Sequence, residues 1–368
     1  MTNKDCQVII LGAGPAGLSL GQCLAERGIL YTIIEKENFV GSTFVKMTDS
    51  TTYGPWLNNV LPGGELPWYR LLTRATRPEY AKYLQNYARK HELRILTGTA
   101  VTSVTQGNDF LVETADGQSF RSDLLVNATG YFSKPYVPTY PGMNESSIPV
   151  LHSSAYRCPE TVRGAAGRQR AKVLVVGAGL SAGEIIAELF DSNQEVHLSH
   201  RGPIETMPSQ LEETLLSPFV YLWEELARRV GLPRPFNLRP SLRRGRQYRL
   251  LSSGQVPTHP AISRFDGQEV RFIDKTVERF DVVLFATGYQ PALDHLSGLL
   301  SCPPEVRNLE SLEAPGCFFL GLVGGRSFRS EFLRGIREDA VYLATVLENR
   351  LQANALKVTT TSREAVPV

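Results

Sequence analysis

Gly12, Gly14 and Gly17 stand between a short apolar run, Val8–Leu11, and a segment in which Leu18, Leu20 and Leu24 recur at helical spacing. A GxGxxG pattern set between strand and helix has a defined chemistry. The first glycine permits a tight turn, the second lets backbone approach a pyrophosphate, and the third lets the helix pack on the strand. Ala16 lies within the turn, where the helix N-terminus offers N–H donors and the positive end of its dipole. Glu35 follows Gly12 by 23 residues, at the end of the next apolar strand and beside Lys36. A carboxylate there accepts hydrogen bonds from ribose hydroxyls. The first turn therefore reads as a dinucleotide site.

A second turn, Gly177-Ala178-Gly179-Leu180-Ser181-Ala182, fits GxGxxA. The position equivalent to Glu35 holds His200, flanked by Ser199 and Arg201. With no acid present, and a hydroxyl beside a guanidinium, this turn suits a 2′-phosphate, so its expected ligand is NADP(H).

The elements that must position these residues also repeat. VIILGAG at residues 8–14 matches VLVVGAG at 173–179, and each is followed by an ATG strand end: LLVNATG at 124–130 and VVLFATG at 282–288. The first glycine and the last are 118 residues apart in one copy and 111 in the other. Such self-similarity predicts an α/β fold of two nested, doubly wound, Rossmann-like dinucleotide-binding domains. One is expected from residues 1–151 and 291–368. The other, inserted at 152–290, carries a helical insertion at about 203–260. Residues 77–91 read as an amphipathic helix, and 95–105 with 110–114 as strands of a hairpin or meander.

Composition narrows the partners. Thirty-nine basic against thirty-seven acidic residues give a net charge of +2, too small to point to nucleic acid or an anionic membrane. No run of eighteen apolar residues occurs, and the N-terminus passes from a short polar leader straight into a strand, so neither a signal peptide nor a membrane span is expected. The expectation is a cytoplasmic protein acting on small molecules, its assembly open between monomer and homodimer. Cys6, Cys23, Cys158, Cys302 and Cys317 are odd in number and never form a CxxC pair, which argues against a dithiol redox centre or a metal site of paired cysteines.

Two such turns and two ATG ends resemble the two-dinucleotide-binding-domain flavoproteins, with FAD on the first unit and NADPH on the second. Lacking CxxC, the chain resembles their flavin-containing monooxygenase branch (class B flavoprotein monooxygenases) over about residues 5–347. Gly41-Ser42-Thr43-Phe44 stands where that family has a GGTW-like turn, and Thr287-Gly288-Tyr289 completes its ATGY motif. Thr129 and Gly130 occupy the equivalent first-unit end, and residues 327–340, including Phe332 and Leu333, resemble its C-terminal flavin helix. The fingerprint FxGxxxHxxx(Y/F/W) matches at His152 and Tyr156, while Ser146 and Ile148 replace its Phe and Gly. Trp56-Leu57-Asn58 resembles a WxN found in some members, which would put Asn58, with His152 and Tyr156, near the reacting flavin. Tyr53, Trp56, Trp68 and Tyr69 are candidates to line a substrate pocket, or belong to core and rim. Arg239, Arg243, Arg244, Arg246 and Arg249 form a solvated face, or contact NADPH phosphates or an acidic substrate.

The resemblance implies hydride transfer from NADPH to FAD, O₂ activation as a C4a-(hydro)peroxyflavin, and oxygenation of a small substrate at nitrogen, sulfur or a carbonyl. The alternatives are an NADPH-dependent FAD reductase or dehydrogenase without oxygen transfer, and a non-catalytic redox sensor.

Overall fold

The structure, a computed structural model, describes residues 6–46, 52–207, 219, 222–223, 226, 230, 242–243, 245–301, 303–322, 325–326 and 328–364. The chain divides into two compact units, one of residues 1–45, 55–134 and 291–368, the other of 46–54 and 135–290.

The first unit is built on a sheet in the order Val306–Arg307, Glu310–Ser311, Cys317–Phe319, Leu124–Asn127, Val8–Leu11, Tyr31–Ile34, Ile95–Leu96. The strands from Cys317–Phe319 onward pair in parallel. Val8–Leu11 and Leu124–Asn127 are buried at every position. This is why their sequences are unbroken apolar runs and not alternating ones. The chain's return completes the unit: Cys317–Phe319 pairs with Leu124–Asn127, and the long helix Leu333–Glu364 packs on Pro15–Ala25.

Ile95–Leu96 extends the parallel sheet and does not join a hairpin, so the meander consists of Val101–Gln106, Phe110–Thr114 and Ser119–Ser122. The helix Arg77–Lys90 begins at a capping box, in which Thr76 Oγ1 accepts from Glu79 N and Glu79 Oε2 accepts from Thr76 N. Its Tyr80, Leu84 and Tyr87 are buried, as its periodicity predicts.

The second unit has a parallel sheet in the order Val150–His152, Val282–Phe285, Lys172–Val176, Glu195–Ser199, Thr258–His259. Ile262–Asp266, Glu269–Phe272 and Val277–Arg279 form an antiparallel meander. The compact unit takes in the link before residue 152 because Val137, Tyr140, Met143 and Ile148 pack with Val283 and Phe285. Of the insertion, the pair Thr206–Met207 and Leu242–Arg243 and the helix Arg246–Ser252 are described. Most of residues 208–241 of that insertion, with Arg239, and Arg244 lie outside the described residues. Among the described residues no helix is long and apolar enough to cross a membrane.

Candidate functional site

Gly12 has φ of +103° and Gly177 of +113°. A Cβ on Gly12 would lie 2.8 Å from the Ala128 carbonyl oxygen, and one on Gly177 2.5 Å from that of Ala286. Each ATG strand end thus presses its alanine carbonyl against the turn of its own unit, so both conformation and space demand glycine. The two sequence motifs recur together because they are the two sides of one contact. The backbone bonding repeats as well: Gly12 N donates to Ile34 O at 2.8 Å, and Gly177 N to Ser199 O at 2.9 Å.

Gly14 and Gly179 are the N-caps of Pro15–Ala25 and Leu180–Asp191, and neither helix has a capping side-chain bond or an acidic residue in its first turn. Both helix ends therefore keep their positive dipole available to an anion. A Cβ on Gly14 would meet no described atom within 4 Å. Open space directly before a helix N-terminus fits the close approach of a pyrophosphate. Ala182 is buried, Leu180 is partly buried, and Ser181 is exposed at the mouth of the second turn.

Glu35 is buried, with Oε2 accepting from Ala13 N at 2.7 Å and Oε1 from Glu37 N at 3.0 Å. Each oxygen retains a lone pair for a ribose hydroxyl. Lys36 points to solvent. Gly41 N donates to Ala13 O at 3.4 Å, which lays the Gly41-Ser42-Thr43-Phe44 segment beside the phosphate turn. Ser42 is buried and Thr43 half-buried. Thr129 Oγ1 donates to Asn127 Oδ1 at 3.1 Å, and Gly130 has φ of +68°. Phe332 stands partly exposed immediately before the helix that Leu333 opens.

Asn58 is half-buried at the end of the short turn Trp56–Asn58. Trp56 is core, packed against Tyr80 and Tyr83, whereas Trp68 and Tyr69 are exposed. These aromatics do not form one wall, and the Tyr53 side chain lies outside the described residues.

In the second unit, Ser199 is buried and its hydroxyl donates to Pro260 O at 2.7 Å. His200 Nδ1 lies 2.6 Å from Gly202 O, and Arg201 is exposed. His200 and Arg201 therefore remain as the groups of this trio that can turn to a 2′-phosphate. Thr287 Oγ1 donates to Tyr136 O. His152 Nδ1 accepts from Ser154 N at 3.0 Å, so Nε2 carries the proton it gives to Gly288 O at 2.9 Å. The imidazole meets the Tyr289 ring edge-on, and burial holds its pKa below the ordinary value. Tyr156, fully buried, donates to Glu188 Oε2 at 3.1 Å, and burial pushes its phenol pKa up. His152 positions the Thr287-Gly288-Tyr289 turn, and Tyr156 braces the nucleotide helix.

The sequence reading missed Asn127 and His295. Asn127 is fully buried at the end of its strand, and Oδ1 lies 3.2 Å from His295 Nε2. Burial pushes His295 down to about 4 from the ordinary 6.5. Between those values the unfolded chain binds a proton that the folded chain does not, so stability rises with pH in that window and is lost as pH falls through it. At about 1.36 kcal/mol per pKa unit, the loss approaches about 3 kcal/mol. The urea midpoint should fall from about pH 6.5 to about pH 4, and His295→Gln should flatten that fall; an unchanged slope would show that His295 does not carry it.

Residues 9–228 match the family described as pyridine nucleotide-disulphide oxidoreductase. The chain belongs to that family. It is an oxidoreductase, and the expected resemblance to flavin-containing monooxygenases extends to its relatives. The CzcO-like oxidoreductase of Geobacillus kaustophilus (strain HTA426) is 28% identical over 367 residues, 93% of this chain and 98% of its own. Indole-3-pyruvate monooxygenase YUCCA4 of Oryza sativa subsp. japonica is 29% identical over 331 residues, 77% of this chain and 74% of its own. The solved flavin-containing monooxygenase from Stenotrophomonas maltophilia matches with a TM-score of 0.77 at 23% identity, covering 95% of this chain and all of that one. The bacillithiol disulfide reductase Bdr from Bacillus cereus matches at 0.72 with 20% identity, over 94% of this chain and 99% of its own. These structural matches establish the α/β two-dinucleotide fold. Although the family takes its name from disulphide chemistry, Cys6, Cys23, Cys158 and Cys317 are all free thiols here. Burial pushes Cys23 up to about 11 and Cys317 to about 12, far from a reactive thiolate.

Proposed function

We propose that the chain is an NADPH-dependent flavoprotein monooxygenase acting on a small organic substrate with O₂. The observation that carries this reading is the pair of phosphate turns, each with a glycine N-cap that has no side-chain capping bond and each locked to its own ATG strand end. The monooxygenase names of the relatives add the reaction class.

FAD would be held by residues 12–17 at its pyrophosphate and Glu35 at its ribose. Ser42, Thr43, Thr129, Gly130 and the helix end at Phe332 and Leu333 would complete its pocket. NADP(H) would lie on residues 177–182, with His200 and Arg201 at the 2′-phosphate and Thr287, Gly288 and Tyr289 alongside. FAD held there would supply hydride acceptance from NADPH and the O₂ activation that oxygenation of a nitrogen, sulfur or carbonyl centre needs. The protein's share is to bind, orient and exclude water. His152 contributes by fixing the Gly288 carbonyl with a neutral imidazole, a state that burial favours.

NADPH oxidation should require O₂ and should stop under nitrogen once the bound flavin is reduced. If disulfides or quinones sustain the same rate without O₂, the protein is a reductase and this reading fails.

A further inference from the structure

Outside the two glycine turns themselves, the second unit gathers two histidines, two glutamates and a lysine. The sequence reading singled out none of them. Strand geometry brings them together. His197 and Ser199 share a face of Glu195–Ser199 because side chains alternate along a strand. Ser199 is in register with His259 on the edge strand, so His259 joins that same face beside His197. The meander strand Val277–Arg279 supplies Glu278.

His197 Nδ1 and His259 Nε2 are 2.8 Å apart, and Glu278 Oε2 lies 3.2 Å from the latter and 3.8 Å from the former. Zinc bonds of about 2.0 to 2.2 Å at tetrahedral angles place neighbouring ligand atoms about 3.3 to 3.6 Å from one another. The three observed separations bracket that value. Their surroundings are also those of ligands. His197 Nε2 faces Glu195 Oε1 at 3.4 Å, a carboxylate that orients the ring and leaves Nδ1 with its lone pair. Lys172 Nζ bonds Glu278 Oε1 at 2.5 Å and Glu195 Oε1 at 3.0 Å. That leaves Glu278 Oε2 as the oxygen facing the imidazoles. One ammonium against two carboxylates gives the cluster a net negative charge when both imidazoles are neutral. Phe272 stacks on His259 and Phe280 meets both rings edge-on, so the cluster has an apolar wall. The side chains of His197, His259 and Glu278 are 7%, 14% and 28% exposed, which makes the site sheltered yet reachable.

We propose that His197 Nδ1, His259 Nε2 and Glu278 Oε2 bind one divalent transition-metal ion of the zinc type, with water in the fourth position. Two imidazoles and a carboxylate suit such an ion better than calcium or magnesium, which take oxygen ligands. The ion joins the edge strand of the parallel sheet to the meander. Its role is to tie those elements together.

The test uses tag-free, flavin-loaded full chain stripped with a chelator and titrated calorimetrically with ZnCl₂ at neutral pH. Saturation at one ion per chain with a Kd below about 1 μM is expected. A raised thermal midpoint should accompany it, and CoCl₂ should give the visible absorption of a four-coordinate nitrogen and oxygen site. His259→Gln and Glu278→Gln should each weaken zinc by at least about a hundredfold, since each removes a direct ligand. The cobalt spectrum of the unaltered protein keeps the test valid even if a variant fails to fold. Absence of saturable binding below about 10 μM would overturn the proposal. So would wild-type zinc affinity in both variants with native far-ultraviolet circular dichroism.

Discussion

Gly14→Val is expected to give a folded protein that purifies without flavin. Gly14 has φ −83° and ψ −174°, extended backbone open to any residue, and a Cβ there meets no described atom within 4 Å. The fold therefore tolerates the change. The isopropyl group instead fills the space in which a pyrophosphate must approach the helix N-terminus. A loss of at least about a hundredfold in FAD affinity, close to 3 kcal/mol, is the expected result. Gly17→Val is the control with the opposite signature. A Cβ on Gly17 would lie 2.0 Å from the Gly12 carbonyl oxygen, a backbone atom that cannot retreat without breaking the turn. That protein should be recovered unfolded or not at all. Absorbance gives the flavin-to-protein ratio and circular dichroism the fold; full flavin occupancy in Gly14→Val would refute the assignment of the first turn.

Arg201→Ala should collapse the preference for NADPH over NADH. The 2′-phosphate adds about two negative charges, and a charge-assisted hydrogen bond to it contributes about 1.5 to 3 kcal/mol. KM for NADPH should rise about ten- to a hundredfold, while NADH barely responds. Ser199 Oγ is committed to Pro260 O, which leaves His200 as the neighbour able to blunt the effect. The deciding quantity is the ratio of kcat/KM for the two coenzymes. An unchanged ratio, or a wild type that favours NADH, would contradict the reading of the second turn.

The nucleotide turns were legible because glycine is demanded by backbone geometry at Gly12 and Gly177, and geometry of that kind leaves a fixed spacing in sequence. The unbroken apolar strands were legible for a similar reason, since a strand covered on both faces admits no alternation. Partners distant along the chain were not. Nothing in the sequence announces that Tyr156 bonds Glu188, that Ser199 spends its hydroxyl on the Pro260 carbonyl, or that His152 serves the Gly288 carbonyl. Trp56 and Trp68 looked alike as aromatics, yet one is core and the other 83% exposed, because burial is set by the neighbouring helix and not by local pattern. The cluster of His197, His259 and Glu278 escaped notice because sheet register, not spacing, assembles it.

The central claim is that the bound flavin delivers oxygen to a substrate. The most direct measurement supplies the flavin-loaded protein with NADPH and ¹⁸O₂ and a panel of a thioether, a tertiary amine and indole-3-pyruvate, the compound in the names of several relatives. Mass spectrometry of the products reads the outcome. The account predicts one ¹⁸O atom in the product of at least one class, formed in step with NADPH consumed. NADPH oxidation that yields hydrogen peroxide alone with every class, and no labelled product, would contradict it.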